Sequence, residues 1–110
     1  MSDAPIDTMR DAATGPMLVQ EVGNSAASGD ALSVTLASPV SGHVLVMIGA
    51  APAGPLTSVT GGGATWTNAA ASYINANVEI WVGVTDGSSG VVTIARTANT
   101  GDIKMAVSEW

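Results

Sequence analysis

The residue types that could support catalysis are few in this sequence. The single histidine, His43, precedes an apolar run that begins at Val44, and Ser41 lies two positions before it. One histidine forms neither a metal cluster nor a catalytic triad without further partners, and none is evident around it. We interpret His43 as a structural histidine.

The acidic residues do not form a recognisable catalytic pair. Glycoside hydrolysis needs two carboxyl groups that converge across a cleft. The candidates Glu79, Asp86, Asp102 and Glu109 fall in turns or at strand positions that we interpret as outward. We expect Glu79 and Glu109 to be exposed and to keep the chain in solution. The sequence predicts no catalytic residue, and we expect a protein that is not an enzyme.

Two glycine-containing loops resemble ion-binding or phosphate-binding loops only in part. The loop from Asp86 to Gly90 contains one carboxylate, whereas calcium usually takes several oxygen ligands with more than one carboxylate. No lysine and no predicted helix follow Gly61-Gly62-Gly63, as a phosphate-binding loop would require. The chain also has no cysteine, so it has no disulfide and no Cys-based zinc or redox site. We predict hairpin turns here, with no metal and no cofactor.

The large aromatic side chains define the one candidate ligand-binding site. If Trp81 faces solvent, it could form a stacking platform with Tyr73, Asn75 and Asn77 for a sugar or a partner protein. The alternative is that Trp81 packs in the core or under the N-terminal segment. Both interpretations remain open at this stage.

Composition limits the partners that these residues could serve. The 110 residues suffice for one hydrophobic core, with 46% hydrophobic and only 11% charged residues. Nine acids and three bases give a net charge of -6, which disfavours nucleic acid and anionic lipid. The apolar runs are much shorter than the ~20 residues of a membrane-spanning helix, and we expect no membrane insertion.

Short apolar runs separated by Gly, Pro, Asn, Asp and Ser predict an all-β fold, an antiparallel two-sheet sandwich over residues 17–110. The predicted strands are Leu18–Val22, Ala31–Leu36, His43–Ile48, Leu56–Thr60, Ala64–Thr67, Val78–Val84, Val91–Arg96 and Ile103–Glu109. Residues 1–16 lack a strand pattern and are predicted to be an N-terminal arm, either a short helix or a disordered leader.

Alternation along a strand predicts which side chains face the core. It predicts that three sets of residues point inward: Leu32, Val34 and Leu36; Val78, Ile80, Val82 and Val84; Ile103, Met105 and Val107. The run from Val44 to Ile48 does not alternate. This run is typical of a central strand that is covered on both sides, or of one whose outer face meets the arm or another molecule.

Three segments carry a resemblance to a known class of domain. They are LTSVTGGGATWT from Leu56 to Thr67, VEIWVGV from Val78 to Val84, and MAVSEW from Met105 to Trp110. Together they resemble Ig-like or jelly-roll sandwich modules of bacterial surface proteins and phage structural proteins, over roughly residues 18–110. The sequence departs from that pattern at Gly61, where an acidic turn residue is common, and at its end, which raises the prospect of a fragment or of a domain completed by another chain.

The resemblance and the composition lead to two hypotheses about function. The first is a non-enzymatic structural or assembly module, a surface, filament or virion subunit that contacts protein neighbours, its own copies included, through the arm and the sheet edges. The alternative is a carbohydrate-binding or ligand-binding module that uses exposed aromatics. No basic segment followed by an apolar stretch, as in a signal peptide, begins the chain. An extracellular, cell-surface or virion location is favoured.

Overall fold

The computed structural model describes residues 15–73 and 77–110. These residues form eight strands: β1 (Gln20–Ala26), β2 (Ala31–Thr35), β3 (Val44–Ala50), β4 (Leu56–Gly61), β5 (Thr67–Ser72), β6 (Val78–Val84), β7 (Val91–Arg96) and β8 (Ile103–Glu109). The predicted all-β, two-sheet class is confirmed. Most of the predicted arm lies outside the described residues.

The first strand, predicted at Leu18–Val22, runs from Gln20 to Ala26, and the fifth strand is displaced further. It was predicted at Ala64–Thr67, but β5 begins at Thr67, and Ala64 makes only an isolated bridge with Thr85. The three consecutive glycines explain the shift, since Gly61, Gly62 and Gly63 all have positive φ and extend the turn after β4.

The strands form two antiparallel sheets that face each other. The five-stranded sheet has the order β1-β8-β3-β6-β5, and the three-stranded sheet has the order β2-β7-β4. The chain changes sheet at every connection except the one from β5 to β6, which are paired neighbours. Strands that are distant in sequence therefore lie side by side, and β8 is held between β1 and β3.

The core lies between the two sheets, and two of the three alternating strands face it as predicted. Ile103 and Val107 on β8 are fully buried, and so is most of Met105. Val34 and Leu36 are buried on the other sheet, where Leu32 packs against them. These predictions are confirmed.

The central position predicted for β3 is also confirmed. This strand pairs with both β6 and β8, and its Leu45 and Met47 side chains are fully buried. On the opposite face of the strand, Val44 and Ile48 are 40% and 49% exposed. No described residue covers that face, so the described part of the chain does not cover β3 on both sides. The alternative in which the arm or another molecule meets that face stays open.

The prediction for the faces of β6 is wrong. Val78 and Val84 are exposed, while Glu79 is 1% exposed and Trp81 packs against the core. The inward face therefore carries the acid and the indole, and the aliphatic face points away from the core. The physical reason is hydrogen bonding: the buried Glu79 carboxylate finds enough donors to offset its loss of water.

Candidate functional site

Glu79 is the centre of a buried polar cluster at one end of the five-stranded sheet. Its Oε2 accepts hydrogen bonds from the Leu56 backbone N–H (2.7 Å) and from Asn77 Nδ2 (2.9 Å). Its Oε1 accepts from Asn68 Nδ2 (3.1 Å) and from Trp81 Nε1 (2.8 Å). These four donors join β4, β5 and β6 through one carboxylate. The predicted exposure of Glu79 is wrong. The donors that compensate its burial come from separate segments of the chain, and folding alone brings them together.

Two of the four residues predicted to bind a ligand belong to this cluster. Trp81 is partly buried and uses its indole N–H on Glu79, as in the alternative in which it packs against the core. Asn77 is 4% exposed and also donates to the Gly54 carbonyl, and its Oδ1 has no hydrogen-bond partner among the described residues. The structure brings Trp81 and Asn77 together on Glu79, not on an open platform.

The other two predicted residues lie elsewhere or outside the description. Tyr73 follows β5 and is 58% exposed. Asn75 lies outside the described residues. Ligand binding by this set of four stays a prediction.

Glu109 is the centre of a second buried cluster, at the end of β8. It is fully buried, and its carboxylate accepts hydrogen bonds from Gln20 Nε2 (2.7 Å), the Val40 backbone N–H (2.8 Å) and His43 Nδ1 (2.8 Å). Gln20 in turn exchanges two hydrogen bonds with the backbone of Ala37. These hydrogen bonds link the connection between β2 and β3 to β1 through Gln20 and to β8 through Glu109. The exposure predicted for Glu109 is wrong.

The environment of Glu109 lowers the pKa of its carboxyl group. Burial by itself would raise that pKa, but the hydrogen bonds from Val40, Gln20 and His43, with the charge that His43 carries when protonated, lower it below the ordinary value of 4.5. The folded structure therefore favours the ionised form of Glu109 over the protonated form. The sequence held a signal for this: Glu109 has the same parity as Ile103, Met105 and Val107, which places it on the inward face.

Arg96 is the centre of a third buried polar cluster. Its side chain is 3% exposed, and its guanidinium donates to the backbone carbonyls of Gly29 (2.9 Å), Gly101 (2.6 Å) and Asp102 (2.9 Å). These contacts connect the turn between β1 and β2 to the loop between β7 and β8. Arg96 therefore stabilises loops. It has the same parity on β7 as the buried Val92 and Ile94, so alternation along the strand indicates its inward position.

The remaining candidates take part in turns. Asp86 accepts a hydrogen bond from the Ser88 backbone N–H, and the pKa of its carboxyl group is lowered by hydrogen bonds from Ser88. Trp66 Nε1 donates to the Gly61 carbonyl, which holds the glycine-rich tip in place.

Within residues 15–73 and 77–110, no three His, Asp or Glu side chains lie together as metal ligands would. In that same part of the chain, no helix is long and apolar enough to cross a membrane.

The outer face of the five-stranded sheet, which is turned away from the three-stranded sheet, carries a band of apolar side chains. Its aliphatic side chains pair across β3 and β6: Val44 with Val84, Val46 with Val82, and Ile48 with Ile80. The row continues to Ala106 on β8 and Ala70 on β5, which flank the Ile48 and Ile80 pair. We call this surface the outer face.

The outer face carries two charged residues, Glu21 on β1 and Lys104 on β8, and both lie outside the exposed aliphatic band on β3 and β6. Its exposed large side chains are Val44 (40%), Ile48 (49%), Val78 (40%) and Val84 (58%), with Trp110 (39%) beside Val44. Trp110 is placed there by reciprocal backbone hydrogen bonds with Val44. Scattered exposed apolar residues are normal at protein surfaces, but a contiguous patch marks an interaction site. The patch was not predicted from the sequence, because the alternating aliphatic residues of β6 were assigned to the core.

A comparison of the chain with protein-family models, curated proteins and solved structures finds no match in any of the three. The fold and the geometry of the described residues therefore carry the functional argument.

Proposed function

We propose that this protein is a non-enzymatic structural or assembly module that associates with further copies of itself through the outer face. The observation that carries the proposal is the aliphatic band across β3 and β6. Association would remove those side chains from water, which is favourable by about 25 cal/mol for each Å² of apolar surface. The two acids on β6 and β8 support this reading, since Glu79 and Glu109 point inward and leave the band uncharged.

The size of the outer face fits a protein contact. Seven residues at about 3.3 Å and five strands at about 4.8 Å give a surface of about 23 by 24 Å, or about 550 Å² in projection. A standard stable interface buries about 800 Å² on each partner. The whole outer face, with the aliphatic band at its centre and polar residues of β1 and β8 at its margin, would supply most of such an interface, and a sheet edge would supply the rest.

The strand order supports a jelly-roll module as the finer fold class within this proposal. In a jelly roll of eight strands, strands one, eight, three and six form one sheet, opposite strands two, seven, four and five. This chain has that order, with β5 moved next to β6. An Ig-like sandwich instead pairs several consecutive strands within one sheet. Jelly rolls build many capsids, which favours a surface, filament or virion subunit.

The test compares two matched substitutions by light scattering after size exclusion, over a range of protein concentrations. Ile48→Glu places a charge on the outer face, and Val91→Glu places one on β7 of the other sheet at nearly equal exposure, 49% against 47%. We expect the wild type to exceed its monomer mass as concentration rises. About half of the Ile48 side chain is left to bury on association, which contributes about 0.7–1.5 kcal/mol. A glutamate charge buried at the contact costs more, so Ile48→Glu should weaken association at least about tenfold. Val91→Glu should leave it unchanged.

Urea unfolding checks that both variants fold. The proposal fails if the wild type is monomeric at every concentration, or if Val91→Glu weakens association as much as Ile48→Glu does.

A further inference from the structure

The β5 strand forms an open edge of the five-stranded sheet. All six of its residues, from Thr67 to Ser72, are exposed. Within the described ranges, β5 pairs with β6 alone, so its other side offers unpaired backbone N–H and C=O groups. Natural sheets usually protect such an edge with charged residues or proline. The β5 sequence TNAAAS contains neither.

The opposite edge of the same sheet differs. β1 carries the exposed Glu21, and its side chains reach across to the three-stranded sheet. Asn24 Nδ2 donates to the Ser33 carbonyl (2.9 Å), and Gln20 Nε2 donates to the Ala37 carbonyl (2.7 Å). On the β1 side, side-chain hydrogen bonds therefore connect the two sheets, and the edge strand carries a charged residue. β5 carries no charged residue, and its link to the three-stranded sheet runs from Asn68 through Glu79, which leaves Ala70–Ser72 outside it.

We propose that β5 pairs antiparallel with β5 of a second copy of this chain, about a two-fold axis at Ala71. The inference rests on the proposed function, because it names one contact by which copies assemble. A β-bulge between Asn68 and Ala70 interrupts the pairing with β6, so the regular part of β5 is Ala70–Ser72, and Ala71 is its centre. An identical antiparallel strand places Ala70 opposite Ser72 on both sides of that axis.

The chemistry of the edge favours a second copy over a foreign peptide. Recognition of a peptide strand takes its specificity from pockets that receive alternate side chains. Here the side chains are alanine and serine, and the depression beside them, lined by Ala70, Ala71, Ser72, Val78 and Ile80, is shallow and open to solvent. The backbone supplies most of the contact. The strand is also neutral, which limits repulsion between two chains of net charge -6.

The pairing would extend the outer face. Because β5 is next to β6, a β5 pair joins two five-stranded sheets into one continuous sheet of ten strands. The aliphatic bands of both copies would then lie on the same side. A third and a fourth copy could stack against this enlarged apolar surface, so the edge and the outer face would act together in an assembly.

The absence of cysteine makes disulfide trapping a direct test. Residues directly opposite in an antiparallel pair have Cα atoms about 4.5–5.5 Å apart, within the range of a disulfide. Ala71→Cys should therefore cross-link to itself under mild oxidation at least ten times faster than Ser25→Cys, an exposed position on the β1 edge. Ala70→Cys alone should cross-link slowly, since two copies of residue 70 would be about 8 Å apart. A mixture of Ala70→Cys and Ser72→Cys chains should form the mixed disulfide rapidly.

The pairing is wrong if Ala71→Cys cross-links no faster than Ser25→Cys, or if Ala70→Cys alone matches it. Light scattering with Ile48→Glu separates this result from the proposed function. If cross-linking at residue 71 stays slow while the wild type associates through the outer face, the β5 pairing fails and the assembly function stands. If residue 71 cross-links rapidly and Ile48→Glu associates as strongly as the wild type, the β5 pairing stands and the outer-face contact fails alone.

Discussion

Replacing the buried Glu109 by glutamine keeps its shape but removes one acceptor oxygen and the negative charge. The carboxylate receives three hydrogen bonds, from Gln20, Val40 and His43. Whichever way a glutamine amide turns, its NH₂ group meets at least one of these donors. A hydrogen bond to a charged group contributes about 1.5–3 kcal/mol, and a buried donor left unpaired costs about 1–3 kcal/mol. We expect Glu109→Gln to lower the free energy of unfolding by about 2–4 kcal/mol at pH 7.

Urea unfolding, followed by tryptophan fluorescence, measures this loss. With a denaturant slope of about 2 kcal/mol/M, the unfolding midpoint should fall by about 1–2 M. Glu21→Gln is the matched control, because Glu21 is exposed on β1 and should change stability by no more than about 0.5 kcal/mol. A Glu109→Gln midpoint equal to that of Glu21→Gln would refute the role assigned to the buried carboxylate.

The pH dependence gives the same prediction a second readout. The pKa of Glu109 is lower in the folded chain than the ordinary value of 4.5, so the unfolded chain binds the proton more tightly. The stabilisation by Glu109 is therefore complete above about pH 4.5 and is lost as the pH falls through the folded-state pKa. The stability difference between wild type and Glu109→Gln should be largest near neutral pH and should shrink in acid. A difference that stays constant down to pH 3 would contradict the assignment.

Two further substitutions test local features of the fold. Gly61 and Gly42 both have a φ of 91°, but a Cβ at Gly61 would collide with the Val91 carbonyl oxygen, whereas nothing lies within 4 Å of one at Gly42. Gly42→Ala should cost about 1–2 kcal/mol in urea unfolding and Gly61→Ala clearly more, and equal costs would contradict the clash. Arg96→Met keeps the apolar stem but removes three hydrogen bonds to loop carbonyls, so thermal unfolding should occur about 10 °C lower. An unchanged melting temperature would show that Arg96 does not hold the two loops.

The strands themselves could be predicted because they depend on local signals. Glycine and proline mark the turns, and short β-branched runs lie between them, so the bounds of β6, β7 and β8 match the predicted ones. The inward set of Ile103, Met105 and Val107 also followed from alternation, since polar or small residues occupy the opposite face of that strand. Where one face is clearly polar, the hydrophobic effect alone decides the orientation.

The orientation of β6, and with it the burial of Glu79, could not be predicted in the same way. Alternation separates Val78 and Ile80 from Glu79 and Trp81, but it does not say which set is buried when both contain large apolar groups. That choice depends on whether donors from other strands reach Glu79, and those donors come from residues as far away in sequence as Leu56. The exposure of Trp81, on which the candidate platform depended, could not be predicted for the same reason: Trp81 lies on the same face of β6 as Glu79.

The sequence by itself determined the strand periodicity, the turns, the low charge and the lack of cysteine, because each of these depends on residues that are near one another in the chain or on composition alone. The tertiary structure decided the strand order, the burial of Glu79, Arg96 and Glu109, and the exposure of the aliphatic band and the β5 edge. The physical reason is that burying a charge requires donors or acceptors from distant segments, and the face of a strand becomes inner or outer only when a second sheet packs against it.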